Sequence, residues 1–399
     1  MKYTPGTYTV AQLKKAIDEV EIALTDRYLT DGAITDAAEK KKWRELVQEN
    51  SYGRQTVLYD DLSYPSVMCK FPLFTEADVL AGGRNYPHPA FIVNGATKPT
   101  VYISKYQNIV AGSGTSMRAL SLKGVDPKVD TITHDVAVTA CKQKGVGWHC
   151  TTNAEYAAVA LLCKSRGFMP RGNNSYGKDY VITSEKGVPA HTYDSAGAKY
   201  IGRVLTGSGP APWTSDGTPF GVYDLNGNIF EWATGMRIVG GEIQIIPDNN
   251  AADNSKDLSA SSTEWKAIMP DGSLTAPETE GTLKYDCETS GGTGVRINTT
   301  VEYSTDINPS KYTGKTSETI ASAAGVTIPN LAKLLALAPI DSLHGGDYFY
   351  LDNRSGQERC ALRGGYWTLT SLAGVFCLNL GIYRSNANNN IGFRSAFVA

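Results

Sequence analysis

Hydrophobic residues recur at helical spacing most clearly near the start of the chain. After Thr9, a residue type that caps helix N-termini, the apolar side chains follow one helical face: Val10, Leu13, Ile17 and Val20. A second helical segment, roughly 35–49, mixes a few apolar residues with many charges. The pattern predicts a helical segment within residues 1–56, which either docks on the rest of the chain or serves in attachment or oligomerisation.

From residue 57 onward, short apolar runs alternate with turn residues, which is typical of strands. Residues 91–95 and 101–106 are predicted to pair as a hairpin through a turn that contains Asn94-Gly95. Residues 133–167 instead carry helical spacing and predict two helices. Thr152 and Glu155 have the spacing of a capping box at the start of the second helix.

Two further stretches stand out by composition. Residues 220–232 combine apolar groups with a tight Asn226-Gly227 turn. Glu231 lies there between two aromatic residues, so we expect it to be buried and to accept hydrogen bonds from an arginine or from backbone amides. Residues 237–348 are rich in Ser, Thr, Asn and Gly, and they predict an insert with a strand near 243–246 and one helix over 330–337.

The last forty residues interleave two kinds of side chain. Glycines that permit close backbone approach, large apolar groups and arginines suited to forked hydrogen bonds predict a framework: Arg363, Gly364, Gly365, Trp367, Arg384, Ile391, Gly392, Phe393 and Arg394. The residues between them follow no period of strand or helix: Tyr366, Thr368, Leu369, Thr370, Leu372, Gly381, Ile382 and Tyr383. A framework that carries irregular side chains is typical of a recognition surface.

Composition and charge narrow the classes of function. The chain has 399 residues, 41% of them hydrophobic and 20% charged, as in soluble globular proteins. A net charge of −2 gives no basic surface for nucleic acid. No apolar run reaches membrane-spanning length, and Met1–Pro5 lack the apolar core of a signal peptide. We therefore expect seven reduced cysteines, no membrane insertion, and export, if any, by a route such as assembly into a virus particle.

Several motifs carry a resemblance to a known family. Arg363-Gly364-Gly365-x-Trp367, Arg384-Ser385-Asn386 and Ile391-Gly392-Phe393-Arg394 resemble the end of a C-type-lectin-like domain of the formylglycine-generating-enzyme type. Residues 148–156 and 220–232 resemble two further motifs of that fold, although His149-Cys150 replaces its usual Arg-Leu. The interleaved asparagines, Asn386 and 388–390, make the chain similar to the variable proteins of diversity-generating retroelements, in which an error-prone reverse transcriptase rewrites adenines.

The resemblance implies an α+β, C-type-lectin-like domain over 57–399, with the insert at about 237–348 and a variable region at about 361–394. It implies a hypervariable ligand-binding display protein without catalysis. The irregular residues would bind a protein or glycan on a host or neighbouring cell surface. A phage virion or prophage-encoded particle is the expected location, with the bacterial cell surface as the alternative, and a homo-oligomer stays open.

Three other interpretations are open at this point. Formylglycine-generating oxidases hold copper with two neighbouring thiolates, but Cys377 has Cys360 as its nearest cysteine in sequence, and a lone apolar-flanked cysteine is typical of a core. The interpretation as a carbohydrate-binding lectin rests only on the presence of Tyr and Trp side chains, which can stack on sugar rings. The irregular residues could also simply fill a β-rich core.

No cofactor is expected, because the five histidines form no zinc motif. Structural calcium is left open: Asp248-Asn249-Asn250, Asp253 and Asp257 supply oxygens without the pattern of an EF-hand, so a solvated loop is the expectation there. Asp224 and Asn228 are the other residues that could contribute to such a site.

Overall fold

Two helices begin the part of the chain that the computed structural model describes, residues 8–399. The expectation for Met1–Pro5 lies outside the described residues. Thr9 and Thr152 cap their helices, as the sequence predicts. The predicted capping box forms between Thr152 and Glu155, and Thr9 forms another with Gln12. The helices are α1 (Val10–Asp31), α2 (Ala37–Asn50), α3 (His134–Lys142), α4 (Asn153–Ser165) and α5 (Asn330–Leu334).

Many short strands make up most of the remaining regular structure, and the described chain is therefore a mixed α+β protein with few helices, consistent with a C-type-lectin-like fold. In the first half they are β1 (Gln55–Tyr59), β2 (Pro65–Pro72), β3 (Ile92–Val93), β4 (Ala96–Thr97), β5 (Thr100–Ser104), β6 (Ile109–Ala111), β7 (Arg118–Leu120), β8 (Trp148–Cys150), β9 (Thr192–Ser195) and β10 (Ala198–Ile201). In the second half they are β11 (Phe230–Val239), β12 (Glu242–Ile245), β13 (Lys266–Ile268), β14 (Leu274–Thr275), β15 (Lys284–Asp286), β16 (Arg296–Asn298), β17 (Thr313–Thr316), β18 (Ala321–Ser322), β19 (Tyr348–Leu351), β20 (Glu358–Gly364), β21 (Gly374–Leu380), β22 (Ile391–Phe393) and β23 (Ser395–Phe397).

Two large sheets contain seventeen of the described strands, and the other six form three two-stranded sheets, β3-β4, β6-β7 and β9-β10. The smaller has the order β1-β2-β5-β23-β8, so the last strand of the chain lies between β5 and β8. The larger runs β17-β19-β21-β20-β11-β12-β15-β16-β18, with β13 and β22 pairing beside this path. Strands from residues 237–348 are thus continuous with the C-terminal strands, and Arg237 itself lies inside β11.

The predicted hairpin of residues 91–95 and 101–106 is wrong in its pairing. Asn94-Gly95 does form a tight turn, but it joins the two-residue strands β3 and β4. β5 instead pairs antiparallel with β2 and with β23. This second pairing places a strand from the start of the β-rich body beside the C-terminal strand.

The N-terminal helices dock on the β-rich body. One buried apolar cluster contains Ile17 and Leu24 of α1, Val47 of α2 and residues of the body such as Tyr106 and Trp213. The carboxylate of Glu21, fully buried, accepts hydrogen bonds from Lys105 Nζ at 2.8 and 3.0 Å. Docking is therefore what the structure shows, while a role of this segment in attachment or oligomerisation stays a prediction.

Across residues 8–399, the structure contains no helix with both the length and the apolar character needed to span a bilayer. The seven cysteines are buried, and no two of them form a disulfide within residues 8–399.

Candidate functional site

The variable region of residues 361–394 consists of three strands and two loops. β20 and β21 pair antiparallel, and a loop at 365–373 joins them. A second loop, 381–390, leads from β21 to β22, which pairs parallel with β11. Both loops therefore leave the sheet beside β20 and β21, and they carry all eight residues predicted to recognise ligand.

Arg394 anchors the end of this region. Its guanidinium donates to both carboxylate oxygens of Glu231, at 2.5 and 2.6 Å, with both residues buried. It also donates to the backbone carbonyls of Ser104 and Tyr223, each at 2.9 Å. The expectation that Glu231 is a buried acceptor for an arginine is confirmed. This hydrogen bonding satisfies a charge pair that would otherwise be costly to bury.

Arg363 is buried in β20, directly opposite Glu231 of β11 in the strand pairing. Its Nε and Nη2 donate to Oδ1 of Asn153, at 3.0 and 2.6 Å, and Nη2 also reaches the carbonyl of Ala336. Among residues 8–399, no carboxylate forms an ion pair with this guanidinium, and burial lowers its pKa to about 10. Arg363 Nη1 has no hydrogen-bond partner within residues 8–399. The residue thus ties β20 to α4 and α5.

Arg384 fixes the second loop. It donates to both oxygens of Glu358, at 2.9 and 2.8 Å, and to Asp135 of α3 at 2.8 Å. Burial alone would lower the pKa of this guanidinium, but the hydrogen bonds to Glu358 and Asp135 outweigh it and raise the pKa. The loop is therefore held to β20 on one side and to α3 on the other.

The glycines and aromatic groups of the predicted framework lie in tight surroundings. Gly364 and Gly365 have φ values of +88° and +83°. A Cβ on Gly365 would lie 2.6 Å from the Cβ of Ala373. Trp367 is 3% exposed and packs with Val129 and Ile229. Phe393 and Gly392 are buried as well. These positions leave little room for substitution.

The residues predicted to recognise ligand are more exposed than their framework neighbours. Thr370 and Tyr383 are exposed, while six others are half-buried: Tyr366, Thr368, Leu369, Leu372, Gly381 and Ile382. Tyr366, Leu369 and Ile382 pack one side against a buried cluster that contains Phe230, Leu362 and Cys377. The alternative that these side chains fill the core thus applies in part to these three.

A depression of about 380 Å³ joins the two loops. Four of the eight predicted residues line it: Tyr366, Leu369, Gly381 and Ile382. Thr368, Thr370, Leu372 and Tyr383 are not among its lining residues. The Tyr383 ring instead stacks on the guanidinium of Arg359, which lies 3.7 Å from the ring centroid. The Tyr383 hydroxyl accepts a hydrogen bond from Arg354.

Sequence reasoning missed the opposite wall of this depression. Tyr312, Lys311 and Ser310 line it from the segment before β17, and Tyr350 and Asp352 line it from β19 and the residue that follows it. The alternation in Tyr348-Phe349-Tyr350-Leu351 indicated a strand with tyrosines on one face. Nothing in the local pattern could indicate that β19 pairs with β21 beside the variable loops.

The two cysteines considered for copper do not form a thiolate pair. Leu362 pairs with Asn379 and Arg363 with Leu378, so Cys360 and Cys377 are at least three residues apart along the ladder, roughly 10 Å. Burial raises the pKa of the Cys360 thiol to about 12 and that of Cys377 further still. Both side chains therefore act as small buried hydrophobic groups, and the oxidase interpretation does not fit these residues.

The oxygens considered for calcium are engaged by protein donors. Asn249 is fully buried, so the expected solvated loop is wrong at this residue, and it binds Thr152, Glu155 and the carbonyl of Ala90. Asn228 Oδ1 accepts from the amide of Val204 at 2.9 Å. In the described part of the chain, no group of three or more His, Cys, Asp or Glu is arranged to hold a metal ion.

Burial affects Asp224, the remaining calcium candidate, differently. It raises the pKa of this carboxyl to about 6. Its Oδ2 accepts a hydrogen bond from the amide of Gly207 at 3.2 Å, and its Oδ1 has no partner in the part of the chain that the structure describes. Structural calcium at this or another position stays an untested expectation.

Comparison with known proteins gives matches among solved structures. No family model matches the chain, and no curated protein sequence matches it. The Major Tropism Determinant P3c variant is 13% identical with a TM-score of 0.29, and the match covers 84% of this chain and 63% of that one. The M1 variant of the same protein is 14% identical with a TM-score of 0.29 and the same coverage. The chain thus spans less than two thirds of the length of these two structures.

Treponema denticola variable protein 1 is 11% identical with a TM-score of 0.33, and the match covers 86% of this chain and 99% of that one. These structures are variable proteins of diversity-generating retroelements, the kind of protein that the C-terminal motifs resemble. At such identities and TM-scores, the similarity assigns no function to this chain.

Proposed function

We propose that this chain is a hypervariable ligand-binding display protein, diversified by a retroelement, with a C-type-lectin-like fold of the formylglycine-generating-enzyme type. Its two C-terminal loops recognise a macromolecule, a protein or a glycan, on a host or neighbouring cell surface. The proposal includes display on a phage virion or prophage-encoded particle, with the bacterial cell surface as the alternative.

One observation carries the proposal. Along a single stretch of chain, buried or paired framework residues such as Trp367 and Arg394 alternate with half-buried or exposed residues such as Tyr366 and Tyr383. A folding unit needs the first set to hold the backbone, whereas the second set contributes little burial. Aromatic side chains with small polar neighbours suit ligand recognition.

A combinatorial library tests this division. Seven positions are randomised together in the full chain: Tyr366, Thr368, Leu369, Leu372, Gly381, Ile382 and Tyr383. We expect most variants to melt within a few degrees of the parent and different variants to bind different immobilised proteins or glycans. Collapse of most variants in thermal melts would overturn the proposal.

A matched control uses seven framework positions: Arg363, Gly364, Gly365, Trp367, Gly392, Phe393 and Arg394. Randomising them is expected to abolish cooperative unfolding in nearly all variants, because they are buried or occupy positive-φ backbone. Equal tolerance in both libraries would remove the distinction on which the proposal rests.

The encoding locus gives an independent test of the retroelement. We expect a reverse-transcriptase gene nearby and a second copy of the sequence for residues 361–394 that differs from the first at adenine positions. A locus without such a repeat would contradict diversification, and it would leave ligand binding by the two loops to be judged by the library.

A further inference from the structure

Three tyrosines outside the variable region form an aromatic shelf: Tyr176, Tyr193 and Tyr200. Tyr193 and Tyr200 are cross-strand partners in the β9–β10 hairpin, with ring centroids 5.8 Å apart and planes 25° apart. Tyr176 approaches from the preceding loop, with its ring 5.2 Å from that of Tyr200. Tyr176 is 38% exposed, and the other two are half-buried.

The shelf is attached directly to the first variable loop. The amide of Tyr176 donates to the carbonyl of Trp367 at 2.8 Å, and the amide of Thr370 donates to the carbonyl of Asn174 at 2.9 Å. Tyr193 and Tyr366 both pack against the buried cluster of Trp367. The shelf therefore keeps a fixed position beside Tyr366, which also lines the depression between the loops.

Tyr176 lies near the other shelf tyrosines and near Tyr366 of the first variable loop. Partial burial, followed by the neighbouring hydroxyls of Tyr193, Tyr200 and Tyr366, raises the pKa of Tyr176. Gly202, just after β10, has no side chain, which lets the hairpin lie close to Trp367. A Cβ on Gly202 would lie 3.3 Å from the indole ring of Trp367. The aromatic surface thus runs from the hairpin to the variable loop.

Cations beside the shelf and in the depression have carboxylate neighbours. Asp194 and Lys199 are opposite each other in the hairpin ladder. In the depression, Asp352 accepts hydrogen bonds from Arg354 and Arg359. A polyanion such as nucleic acid or a sulfated chain would require unpaired cations, and this surface does not favour one.

Beside Ser310 and Lys311, four neutral carboxamides line the depression: Asn379, Asn386, Asn388 and Asn390. The Oδ1 atom of Asn390 is buried and has no hydrogen-bond partner among the residues that the structure describes. A carboxamide offers one acceptor and two donor hydrogens, which match the hydroxyl groups of a sugar. The surface therefore combines flat rings with neutral hydrogen-bonding groups, although Asn379 and Asn388 each use Oδ1 to accept from a nearby backbone amide.

We propose that the aromatic shelf is a second, fixed subsite and that, together with the variable loops, it binds a neutral glycan chain. The C–H faces of one sugar ring pack on the shelf tyrosines, and the hydroxyls of a following ring bind the carboxamides of the depression. This inference rests on the proposed function, because it takes the variable loops as the other half of the site.

Binding of the full chain to immobilised neutral, sialylated and sulfated oligosaccharides tests the inference, followed by calorimetric titration with the tightest neutral oligosaccharide. Tyr176→Ala is expected to weaken that binding at least fivefold, whereas Tyr176→Phe retains the ring and is expected to bind within twofold of the parent. Tyr86→Ala, a truncation of another exposed tyrosine, is the matched control and is expected to change nothing.

The outcomes separate the inference from the proposed function. Absence of binding to any neutral oligosaccharide, preference for the charged ones, or full affinity in Tyr176→Ala would each overturn the glycan subsite. If the seven-position library then still yields binders to immobilised proteins, the proposed function stands with a protein ligand. If the library yields no binder of any class, both fail.

Discussion

Glu231 and Arg394 form a fully buried ion pair that joins the middle of the chain to its last strand, with two hydrogen bonds of 2.5 and 2.6 Å. The same guanidinium donates to the carbonyl of Ser104 in β5. One side chain therefore connects both sheets, since Glu231 belongs to β11 of the large sheet and Ser104 to the smaller one. The variable loops therefore extend from a sheet whose backbone is held in place by this buried ion pair.

Removing one partner of this pair tests its role. Arg394→Ala leaves the Glu231 carboxylate buried without its counter-charge, so we expect a loss of about 3–5 kcal/mol in the free energy of unfolding. Urea denaturation of the full chain measures it. Lys41→Ala, which removes an exposed partner of Glu45, is the control and is expected to change stability by less than about 1 kcal/mol. Similar effects of the two substitutions would show that the buried pair does not hold the fold.

The close approach at Gly365 gives a second prediction. Gly365→Ala introduces both a positive-φ penalty of about 1–2 kcal/mol and a Cβ that meets Ala373 at 2.6 Å. Overpacking adds about 1–3 kcal/mol. Gly356→Ala is the matched control, because Gly356 also has positive φ but has nothing within 4 Å of its Cβ position. Denaturation midpoints should fall further for Gly365→Ala, and equal midpoints would exclude a steric role of this glycine.

Local chemistry made part of this structure predictable. The helix caps at Thr9 and Thr152 were predictable because a capping residue and its partner lie only three residues apart. The need of Glu231 for a buried counter-charge follows from electrostatics, although its partner, Arg394, lies 163 residues away. The framework glycines were recognisable because their residue type permits positive φ.

Pairing between distant strands could not be predicted in the same way. β5 has apolar residues that suit several partners, and it pairs with β2 and β23 rather than with the segment next to it in sequence. Tyr350 and Tyr312 reach the depression because β19 lies between β17 and β21. These contacts depend on tertiary packing, which no local pattern of residues encodes.

The docking of α1 gives a third prediction. Glu21→Ala leaves Lys105 buried without its carboxylate partner, and the hydroxyl of Tyr106, 2.5 Å from Glu21, also loses its acceptor. We expect a loss of about 3–5 kcal/mol in the free energy of unfolding. Glu19→Ala removes an exposed carboxylate from the same helix and is expected to have an effect below about 1 kcal/mol. If Glu21→Ala leaves guanidinium denaturation unchanged, the helix does not contribute to the stability of the body.

His88 predicts how stability depends on pH. It is fully buried, its Nε2 lies 2.9 Å from the carbonyl of Leu334, and its Nδ1 accepts from the amide of Ala90. Burial lowers the pKa of this imidazole from 6.5 to about 4, so the unfolded chain binds a proton that the folded chain does not. Between pH 6.5 and 4 the free energy of unfolding should therefore fall with falling pH, by about 3 kcal/mol from this residue.

His88→Asn separates this contribution from those of the other titrating groups. Asparagine keeps one donor and one acceptor but does not titrate, so the variant is less stable at pH 7 and yet loses less stability on acidification than the parent. Urea denaturation of both proteins at pH 7, 6, 5 and 4 gives the comparison. A difference in unfolding free energy between the two that stays constant over this range would mean that His88 takes up its proton equally in the folded and unfolded chain, which its burial argues against.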